Sequence, residues 1–433
     1  YTLSGDSEPS KIVYYDQVVG KIPAPSLTGH TLMGWSRLKD AFSEVTESVV
    51  YDKSFSTIYA QWNPTTYEIE YRLNGGNVPD NPYFGSYYVE AAIKSPTRNG
   101  YRFIGWKITG LDSNKHIING METTSKEYAM STTGSSISVL GLRATEGTVT
   151  FEAMWQEESY SLSYDYRRRS DNVILKPTDE AIAAAGNPMS YTATTPAFNL
   201  TAPEIKGYSF YYWGGTGITE KMPSLTINPG NTGDKEFTAY YDPNEYLIVY
   251  DLSGGSWGKN ASHPESAKYD TTFTVSSPVL DGCEFQGWTI TNMCSDCVHA
   301  IDGSEVNGTE SSGVKGTSFK NLHCVNEKVV RFTAVWSAVS YNVSYDLNGG
   351  SSPSGGSYPT NVTTYSSFSV SNPVRSGKTF LGWSISGMDA GMHSLPAIGN
   401  TTSESASGIG VGVAEGMALT YGNLRYSSGT VKF

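Results

Sequence analysis

Apolar and polar residues alternate within short segments that recur along the chain. Between Tyr246 and Leu252, every second residue is aromatic or aliphatic. Because successive side chains of a β-strand point to opposite faces, this period of two predicts a strand with one buried face. Matching segments begin at four tyrosines, 93, 86 and 95 residues apart: Tyr67, Tyr160, Tyr246 and Tyr341. The recurrence predicts a tandem array of one small β-rich module.

Each copy carries a second pattern, in which a proline is followed four residues later by a glycine and then by a strand that ends in tryptophan. The five pairs are Pro25 and Gly29, Pro96 and Gly100, Pro203 and Gly207, Pro278 and Gly282, and Pro373 and Gly377. In the second copy, Phe103 and Trp106 are three residues apart, so strict alternation would place them on opposite faces. A glycine precedes the tryptophan in four of the five copies. This glycine predicts a β-bulge that turns both aromatic residues inward.

Together the patterns divide the chain into five modules, of which the first and last are incomplete. The modules span 1–62, 67–155, 160–241, 246–336 and 341–433. The fold class is therefore all-β to α+β, with one predicted helix between its cap Thr178 and its stop Gly186. We expect each module to have an aromatic core built on tryptophans: Trp35, Trp62, Trp106, Trp155, Trp213, Trp288, Trp336 and Trp383.

Between the tryptophan strand and the closing strand, the modules differ in length. Modules two, four and five carry long segments there, which predict surface excursions on a constant scaffold. Two Asn-Gly pairs that follow opening strands predict tight hairpins with positive φ angles: Asn74-Gly75 and Asn348-Gly349.

The linkers between modules are short. Four residues separate the last core aromatic residue of one module from the first tyrosine of the next, as in 63–66 and 242–245. Such a linker spans at most about 17 Å. Neighbouring modules are therefore expected to touch or nearly touch, and the array is expected to form a stiff, elongated rod.

Composition narrows the functional classes. Charged residues make up 17% of the chain and aromatic residues 12%, with 45 glycines, a composition typical of β-rich secreted or surface proteins. The net charge of −12 disfavours nucleic acid or an anionic membrane as the partner, because both require clustered Lys and Arg. No apolar run is long enough to predict a membrane span. We expect an extracellular, secreted or cell-surface location.

Three motifs together resemble a known family. They are YDLNGG at 345–350, P-x-x-x-G-Y-x-F-x-G-W at 96–106 and F-x-A-x-W at 332–336. They are similar to the Listeria-Bacteroides repeat, also called the internalin B-repeat, and the resemblance covers essentially the whole chain. It implies a small β-grasp-like module, found in tandem on bacterial surface proteins as stalks and interaction segments. Module three departs from the pattern, with arginines at 167–169 in place of NGG.

Module four contains all of the cysteines: Cys283, Cys294, Cys297 and Cys324. In an extracellular chain, an even and clustered set predicts two disulfides that tie the long segment to the strands. The C-x-x-C pair and the nearby His299 and His323 leave a zinc site as the alternative, although one such pair is half of the usual zinc pattern. Cys283 takes the position of Tyr101 in module two and is expected to point into the core.

The sequence gives little support for catalysis, and we expect a non-enzymatic protein without a cofactor. The histidines occupy positions that do not correspond between modules: His30, His116, His263, His299, His323 and His393. None lies in a motif that pairs it with a nucleophile or a metal. The glycine-rich stretch 408–416 lacks the lysine and the strand-to-helix context of a phosphate-binding loop. It is interpreted as a flexible or strand-edge part of module five.

Two surface features remain. The arginines at 167–169 form the one dense basic cluster of the sequence, interpreted either as a solvated turn or as a site for a carboxylate-bearing glycan or an acidic partner. Six N-x-S/T sequons would accept glycans in a glycosylating secretory pathway: Asn199, Asn260, Asn307, Asn342, Asn361 and Asn400.

The leading functional hypothesis is a rod-like adhesion or scaffold segment of a bacterial surface protein. Its expected partners are a protein or glycan on another cell, or sister chains in a surface assembly. The alternative is a carbohydrate-binding array, which would be favoured if four tyrosines outside the repeat pattern line an exposed platform: Tyr83, Tyr87, Tyr88 and Tyr358.

The terminal modules raise a third hypothesis. Tyr1 aligns with Tyr71, and Phe433 aligns with Phe332, so each terminal module lacks part of a strand. Either the chain is an excerpt of a longer array, or another chain completes these modules in an extracellular fibre built by strand donation.

Overall fold

A computed structural model gives the fold of the chain. It describes residues 13–22, 24–41, 44–51, 57–77, 80–131, 134–391, 393–396, 399–414 and 416–433. The described residues form 35 strands in nine sheets and one helix, so their secondary structure is nearly all β. Among the described strands, no sheet joins strands of two predicted modules, and the outer strands run up to two residues past the predicted bounds.

Module one is the smallest part of the described structure. Its tryptophan strand β1 (His30–Ser36) pairs antiparallel with its closing strand β2 (Tyr59–Pro64). The alignment of Tyr1 with later opening strands concerns a residue outside the described ranges.

Modules two, four and five share one architecture, a five-stranded mixed sheet with a four-stranded antiparallel sheet. The strands of module two are β3 (Thr66–Arg72), β4 (Phe84–Ser86), β5 (Ala91–Lys94), β6 (Tyr101–Thr109), β7 (His116–Ile118), β8 (Met121–Thr123), β9 (Glu127–Ser131), β10 (Ser136–Leu140) and β11 (Thr148–Glu157). Their order is β4-β3-β11-β6-β9 in the first sheet and β5-β10-β7-β8 in the second.

Module three is a reduced version of this architecture. Its elements are β12 (Ser159–Arg168), α1 (Asp179–Ala185), β13 (Ser190–Thr192), β14 (Phe198–Leu200), β15 (Tyr208–Gly215), β16 (Leu225–Ile227) and β17 (Lys235–Pro243). The sheets are β13-β12-β17-β15 and β14-β16. The helix prediction is confirmed, because the Thr178 hydroxyl accepts the Ala181 N–H at 3.2 Å and Gly186 ends α1 with a φ of 65°.

Modules four and five repeat the order of module two. Module four contains β18 (Glu245–Asp251), β19 (Ser266–Lys268), β20 (Phe273–Thr274), β21 (Cys283–Thr291), β22 (His299–Ile301), β23 (Ser304–Val306), β24 (Glu310–Val314), β25 (Ser318–Lys320) and β26 (Val329–Ala338). Module five contains β27 (Ser340–Ser344), β28 (Asn361–Thr363), β29 (Ser367–Ser371), β30 (Trp383–Ser386), β31 (His393–Leu395), β32 (Gly399–Thr401), β33 (Ser405–Ile409), β34 (Ala418–Gly422) and β35 (Thr430–Lys432).

The opening and closing strands of a module are parallel neighbours. In module two, β3 and β11 pair from Glu68 with Thr148 to Arg72 with Glu152. The same parallel pairing joins β12 to β17, β18 to β26 and β27 to β35. The tryptophan strand lies antiparallel on the other side of the closing strand. The closing strand is therefore central, and its inward residues Phe151 and Phe332 are fully buried.

A β-bulge precedes the tryptophan, as predicted. The register between β6 and β11 shifts between Phe103 and Gly105, and the same shift occurs in β1, β15 and β21. The bulge places Phe103 and Trp106 on one face, with ring centroids 5.2 Å apart. Gly105 has a φ of 144°, and a Cβ there would collide with the carbonyl of Met130 on the neighbouring strand. Glycine is required because both the backbone angle and the space exclude a side chain.

The long segments of modules two, four and five are not surface excursions. In module two this segment forms β7, β8 and β9, of which β9 joins the first sheet and the other two join the second. Ile118 and Met130 from this segment are buried in the module core. The prediction was wrong because the segment is mostly polar and therefore resembles a surface loop. Its few apolar side chains are nevertheless enough to cover one face of a sheet.

The Asn-Gly turns have the predicted angles but do not form hairpins. Asn74 and Gly75 have φ angles of 49° and 85°. After the turn, the chain pairs through Asn77 with Thr97 rather than with β3. The antiparallel partner of β3 is β4, and eleven residues, 73–83, lie between the two strands.

The cores are aromatic. Of the eight tryptophans predicted to form the cores, four are buried, namely Trp106, Trp213, Trp288 and Trp383, and four are half-buried, namely Trp35, Trp62, Trp155 and Trp336. In modules two to five, a tyrosine in the opening strand or, in module five, directly after it donates its hydroxyl to a proline carbonyl at 2.7–2.9 Å. These bonds satisfy the polar end of each ring, so the ring body can be buried at little cost.

Candidate functional site

A single residue separates the last strand of one module from the first strand of the next. These joint residues are Thr65, Glu158, Asn244 and Val339. Each donates its backbone N–H to the glycine carbonyl of the preceding Pro-x-x-x-Gly pattern, at 2.9, 3.0, 2.8 and 2.9 Å. The carbonyls of Thr65, Asn244 and Val339 also accept a backbone N–H of the following module, at 3.3, 2.8 and 2.9 Å. These joints are therefore fixed to both neighbours.

The glycines that accept these bonds allow the modules to approach closely. Gly29, Gly100, Gly207 and Gly282 have φ angles of 70°, 79°, 80° and 73°. A Cβ at these positions would meet, in the same order, Tyr87, Ala193, Tyr269 and Thr364 of the following module. Gly377, at the matching position of module five, has a φ of 67° and nothing within 4 Å of its Cβ position. The recurring glycine thus serves the joint as well as the local turn.

An ion-pair network crosses the joint between modules three and four. The Arg168 guanidinium binds Asp171 of its own module at 2.7 Å and Asp270 of module four at 2.8 Å. Asp270 also forms an ion pair with Lys320 at 2.6 Å, and it accepts a hydrogen bond from the Tyr208 hydroxyl at 3.0 Å. Burial favours the neutral form of Asp270 and by itself would raise the pKa of this carboxyl. The hydrogen bonds from Lys320 and Tyr208 and the positive charges of Lys320 and Arg168 outweigh burial, so the pKa is lowered.

The arginine cluster is thus occupied by acidic residues of the chain itself. The two flanking arginines are also paired within module three: Arg167 with Asp165 at 2.9 Å, and Arg169 with Asp242 at 2.8 Å. Arg167 and Arg168 lie in β12 rather than in a solvated turn. The interpretation of the cluster as a site for a carboxylate-bearing glycan or an acidic partner stays a prediction. Its central arginine, Arg168, connects modules three and four through Asp270.

We expect acid to weaken the contact between modules three and four. A carboxyl group whose pKa is lowered in the folded state stabilises above its unfolded pKa, and this contribution is lost as the pH falls below about 4. Because Asp270 is one-third exposed, the effect is about 1 kcal/mol. The protection of the joint amides, taken relative to the intrinsic exchange rate at each pH, should fall on acidification, and Asp270→Asn should remove this fall. Asp165→Asn, which alters an exposed pair inside module three, is the control; an equal response of both variants would contradict the assignment.

Three of the four cysteines of module four meet in space. The Sγ atoms of Cys294, Cys297 and Cys324 all lie within 4.8 Å of one another, and those of Cys294 and Cys324 are 2.7 Å apart. Burial opposes ionisation, but hydrogen bonds from the two other thiols and from the Asp296 backbone lower the pKa of Cys294. Burial raises the pKa of Cys297.

Cys283 is separate from this cluster. It begins β21, where it pairs with Ala338, and its side chain is half-buried. The cluster therefore has three thiols, enough for one disulfide, and offers Cys283 no partner for the second predicted disulfide.

The prediction that the histidines do not correspond between modules was wrong. His116, His299 and His393 begin β7, β22 and β31, and all three are fully buried. The Nδ1 atom of each lies 2.7–2.8 Å from a backbone carbonyl oxygen of the strand or turn that follows the long segment. The shared signal is a histidine followed two residues later by Ile or Leu. Its role is structural, because the ring fastens the segment to the module.

The tyrosines named as a candidate platform do not form one surface. Tyr87 and Tyr88 pack on module one, where the Tyr88 hydroxyl donates to the Thr28 carbonyl at 2.9 Å. Tyr358 packs edge-on against a core tyrosine of module five, at 5.0 Å between ring centroids. Tyr83 stays 72% exposed.

Five sequon asparagines have exposed side chains: Asn199, Asn260, Asn307, Asn342 and Asn361. The side chain of Asn400 is outside the described part of the chain.

The fold and the joints define a tandem-repeat β protein whose modules are connected without free linkers. The family model of the Listeria-Bacteroides repeat domain matches residues 1–61, 67–127, 246–309 and 341–389, more than half of the sequence. The chain belongs to this family. The matches leave out module three, so the resemblance covers less of the chain than the sequence motifs suggested.

Two curated relatives come from Evansella cellulosilytica. One, named as a Gly-rich membrane protein, is 24% identical over 375 residues, 83% of this chain and 36% of the relative. The other, named as a membrane protein, is 25% identical over 336 residues, 76% of this chain and 40% of the relative. The chain spans less than half the length of these relatives.

Among solved structures, SHIRT domains 3-4 from a streptococcal cell surface protein are similar at 12% identity and a TM-score of 0.14, covering 42% of this chain and 99% of that one.

In the described residues of this chain, the seven-residue α1 is too short to cross a membrane.

Proposed function

We propose that this chain is a non-enzymatic, extracellular structural or adhesion segment of a bacterial surface protein, in which β-grasp-like modules form an elongated rod. Membership of a tandem-repeat family supports the repeat architecture. The names of the two Evansella relatives support an association with the cell envelope. The modules supply reach, and their exposed surfaces contact a protein or glycan on another cell, or sister chains.

The observation that carries the proposal is the geometry of the joints. Each module is held to the next through a single residue whose N–H is bound by the preceding glycine carbonyl. A flexible linker would allow neighbouring modules to reorient, whereas these bonds fix the angle between them. A fixed angle repeated along an array produces a defined, extended shape.

The aromatic side chains support a scaffold better than a carbohydrate-binding array. Three of the four tyrosines that would form a sugar-binding platform pack against module one or inside module five. Tyr83 is 72% exposed but packs edge-on against Tyr71, at 6.2 Å between ring centroids. Sugar-stacking surfaces need aromatic faces that stay accessible.

Small-angle X-ray scattering tests the rod. A compact globule of this length would have a radius of gyration of about 22 Å, whereas five modules in line give about 45 Å. We expect a value near the larger figure. A variant with several Gly and Ser residues inserted after Asn244 is the control, because it should keep folded modules while broadening the distribution of dimensions. A compact wild-type particle would refute the rod.

A further inference from the structure

Cys294 and Cys324 lie on two segments that modules two and five connect by a different interaction. The Cys294 N–H donates to the Leu322 carbonyl at 2.9 Å, and in module five the Asp389 N–H donates in the same way to Leu424 at 3.3 Å. Cys294 therefore corresponds to Asp389. Cys324, two residues after Leu322, corresponds to the residue two after Leu424, which is Tyr426.

In modules two and five, an aspartate fastens these two segments to each other. The Asp389 carboxylate accepts the Tyr426 N–H at 3.0 Å, and the Asp112 carboxylate accepts the Ala144 N–H at 2.5 Å. Module four lacks this carboxylate and has Cys294 in its place, with Cys324 opposite. The paired replacement keeps the same two segments connected by sulfur instead of by a carboxylate.

The same two segments of module four form hydrogen bonds to the joint residue and to module three. The Cys324 carbonyl accepts the side-chain N–H of the joint residue Asn244 at 2.7 Å. The Asp296 carbonyl, between Cys294 and Cys297, accepts the Lys206 ammonium group of module three at 2.7 Å. A bond between the two segments therefore stiffens both sides of the joint between modules three and four.

The sulfur positions favour a disulfide over a metal site. Sulfurs bound to one zinc ion at about 2.3 Å in tetrahedral geometry lie about 3.8 Å apart. The Sγ atoms of Cys294 and Cys324 are 2.7 Å apart, closer than two zinc ligands. Among the described residues, the cluster contributes three sulfur ligands and no fourth side-chain ligand.

We propose that Cys294 and Cys324 form a reversible disulfide that locks the joint between modules three and four, and that Cys297 is the neighbouring thiol that can exchange with it. A small-molecule disulfide serves as the oxidant. The Cys294 thiolate attacks one of its sulfurs and releases a small thiolate; the Cys324 thiolate then attacks Cys294 Sγ and releases the second. Two protein thiols lose two protons and two electrons, and the small disulfide becomes two thiols.

Exchange with Cys297 needs no further oxidant. The Cys297 thiolate attacks Cys294 Sγ, the new bond joins Cys294 to Cys297, and Cys324 leaves as the thiolate with the electron pair of the broken bond. The burial that raises the pKa of Cys297 keeps this thiolate scarce and the cross-link to Cys324 in place. Exchange would free the Cys324 segment and loosen the joint.

The test compares the full chain after reduction and after treatment with oxidised glutathione. Denatured thiol counts are expected to fall from four to two, and non-reducing peptide mapping is expected to recover Cys294 linked to Cys324. These residues are 30 apart, and closing such a loop lowers the opening equilibrium of the segment by roughly 30- to 1,000-fold. Amide exchange at Glu245, whose N–H binds Asn326, should slow accordingly on oxidation.

Two variants separate the possible outcomes. Cys294→Asp with Cys324→Ala recreates the pair of module two and should keep the joint closed under both conditions. Cys283→Ser should retain the full redox response. A linkage between Cys294 and Cys297 in place of the expected one, a full set of free thiols after oxidation, or one zinc ion retained per chain with the cluster thiols reduced would each overturn the proposal. None of these results depends on whether the array is a surface rod, which the scattering experiment decides separately.

Discussion

Replacing Trp106 with alanine is expected to lower the free energy of unfolding of module two by about 3–5 kcal/mol. Trp106 is fully buried at the centre of the aromatic core. Its ring centroid lies 5.2 Å from that of Phe103, 5.7 Å from Phe151 and 6.1 Å from Tyr71. Removal of the indole ring leaves a cavity among these three aromatic rings, and surrounding structure relaxes only partially into such a cavity. A loss of this size is a large fraction of the stability of a small domain.

Hydrogen exchange resolved by module is the appropriate measurement, because unfolding of a five-module chain is not a single two-state transition. The amides of β3 and β11 should exchange faster, while those of module four stay protected. Tyr83→Ala is the matched control, since Tyr83 is 72% exposed and its removal should change stability by less than about 0.5 kcal/mol. Equal effects of the two substitutions would show that the core is not organised around Trp106.

The second large effect is expected from Gly207→Val, which should open the joint between modules three and four. The φ of 80° alone costs a valine about 1–2 kcal/mol. In addition, its Cβ would collide with the Tyr269 ring of module four. Relief of the collision requires the modules to separate, which breaks the bond from the Asn244 N–H to the Gly207 carbonyl.

Gly377→Val separates the two contributions. Gly377 has a similar φ of 67°, but its Cβ position has no neighbour within 4 Å. Both variants carry the backbone strain, so the difference between them reports the joint. We expect that difference to be about 1–3 kcal/mol, seen as roughly 5- to 150-fold faster exchange of the Asn244 amide in the Gly207 variant. Unchanged exchange at Asn244 would mean that the glycine serves only its own turn.

Local features of the fold could be predicted from the sequence where a single backbone rule decides them. The spacing of Phe103 and Trp106, with Gly105 between them, was sufficient to predict the bulge because two inward aromatic residues three apart require an extra residue. The helix was equally predictable, because the types of its capping residue, Thr178, and of its left-handed terminal residue, Gly186, signal a helix start and a helix end.

The joints and the cysteine cluster were harder to predict from the sequence because they depend on contacts between distant segments. The Pro-x-x-x-Gly pattern was visible, yet that Gly207 faces Tyr269 emerges only when two modules are placed side by side. The cysteines were visible as a cluster, but their correspondence with Asp112 and Asp389 rests on hydrogen bonds across some 30 residues. The long segments were misjudged because their few apolar residues, such as Ile118 and Met130, become buried only when the segments pair into the sheets.

The parallel pairing of opening and closing strands determines how a module responds to pulling. A module is entered at the start of its opening strand and left at the end of its closing strand, which lie at opposite ends of the sheet because the two strands run in the same direction. Tension along the chain therefore acts along the strands and shears the ladder between them. All the hydrogen bonds of that ladder carry the load together instead of breaking one after another. An envelope protein built from such modules would resist mechanical extension at every repeat.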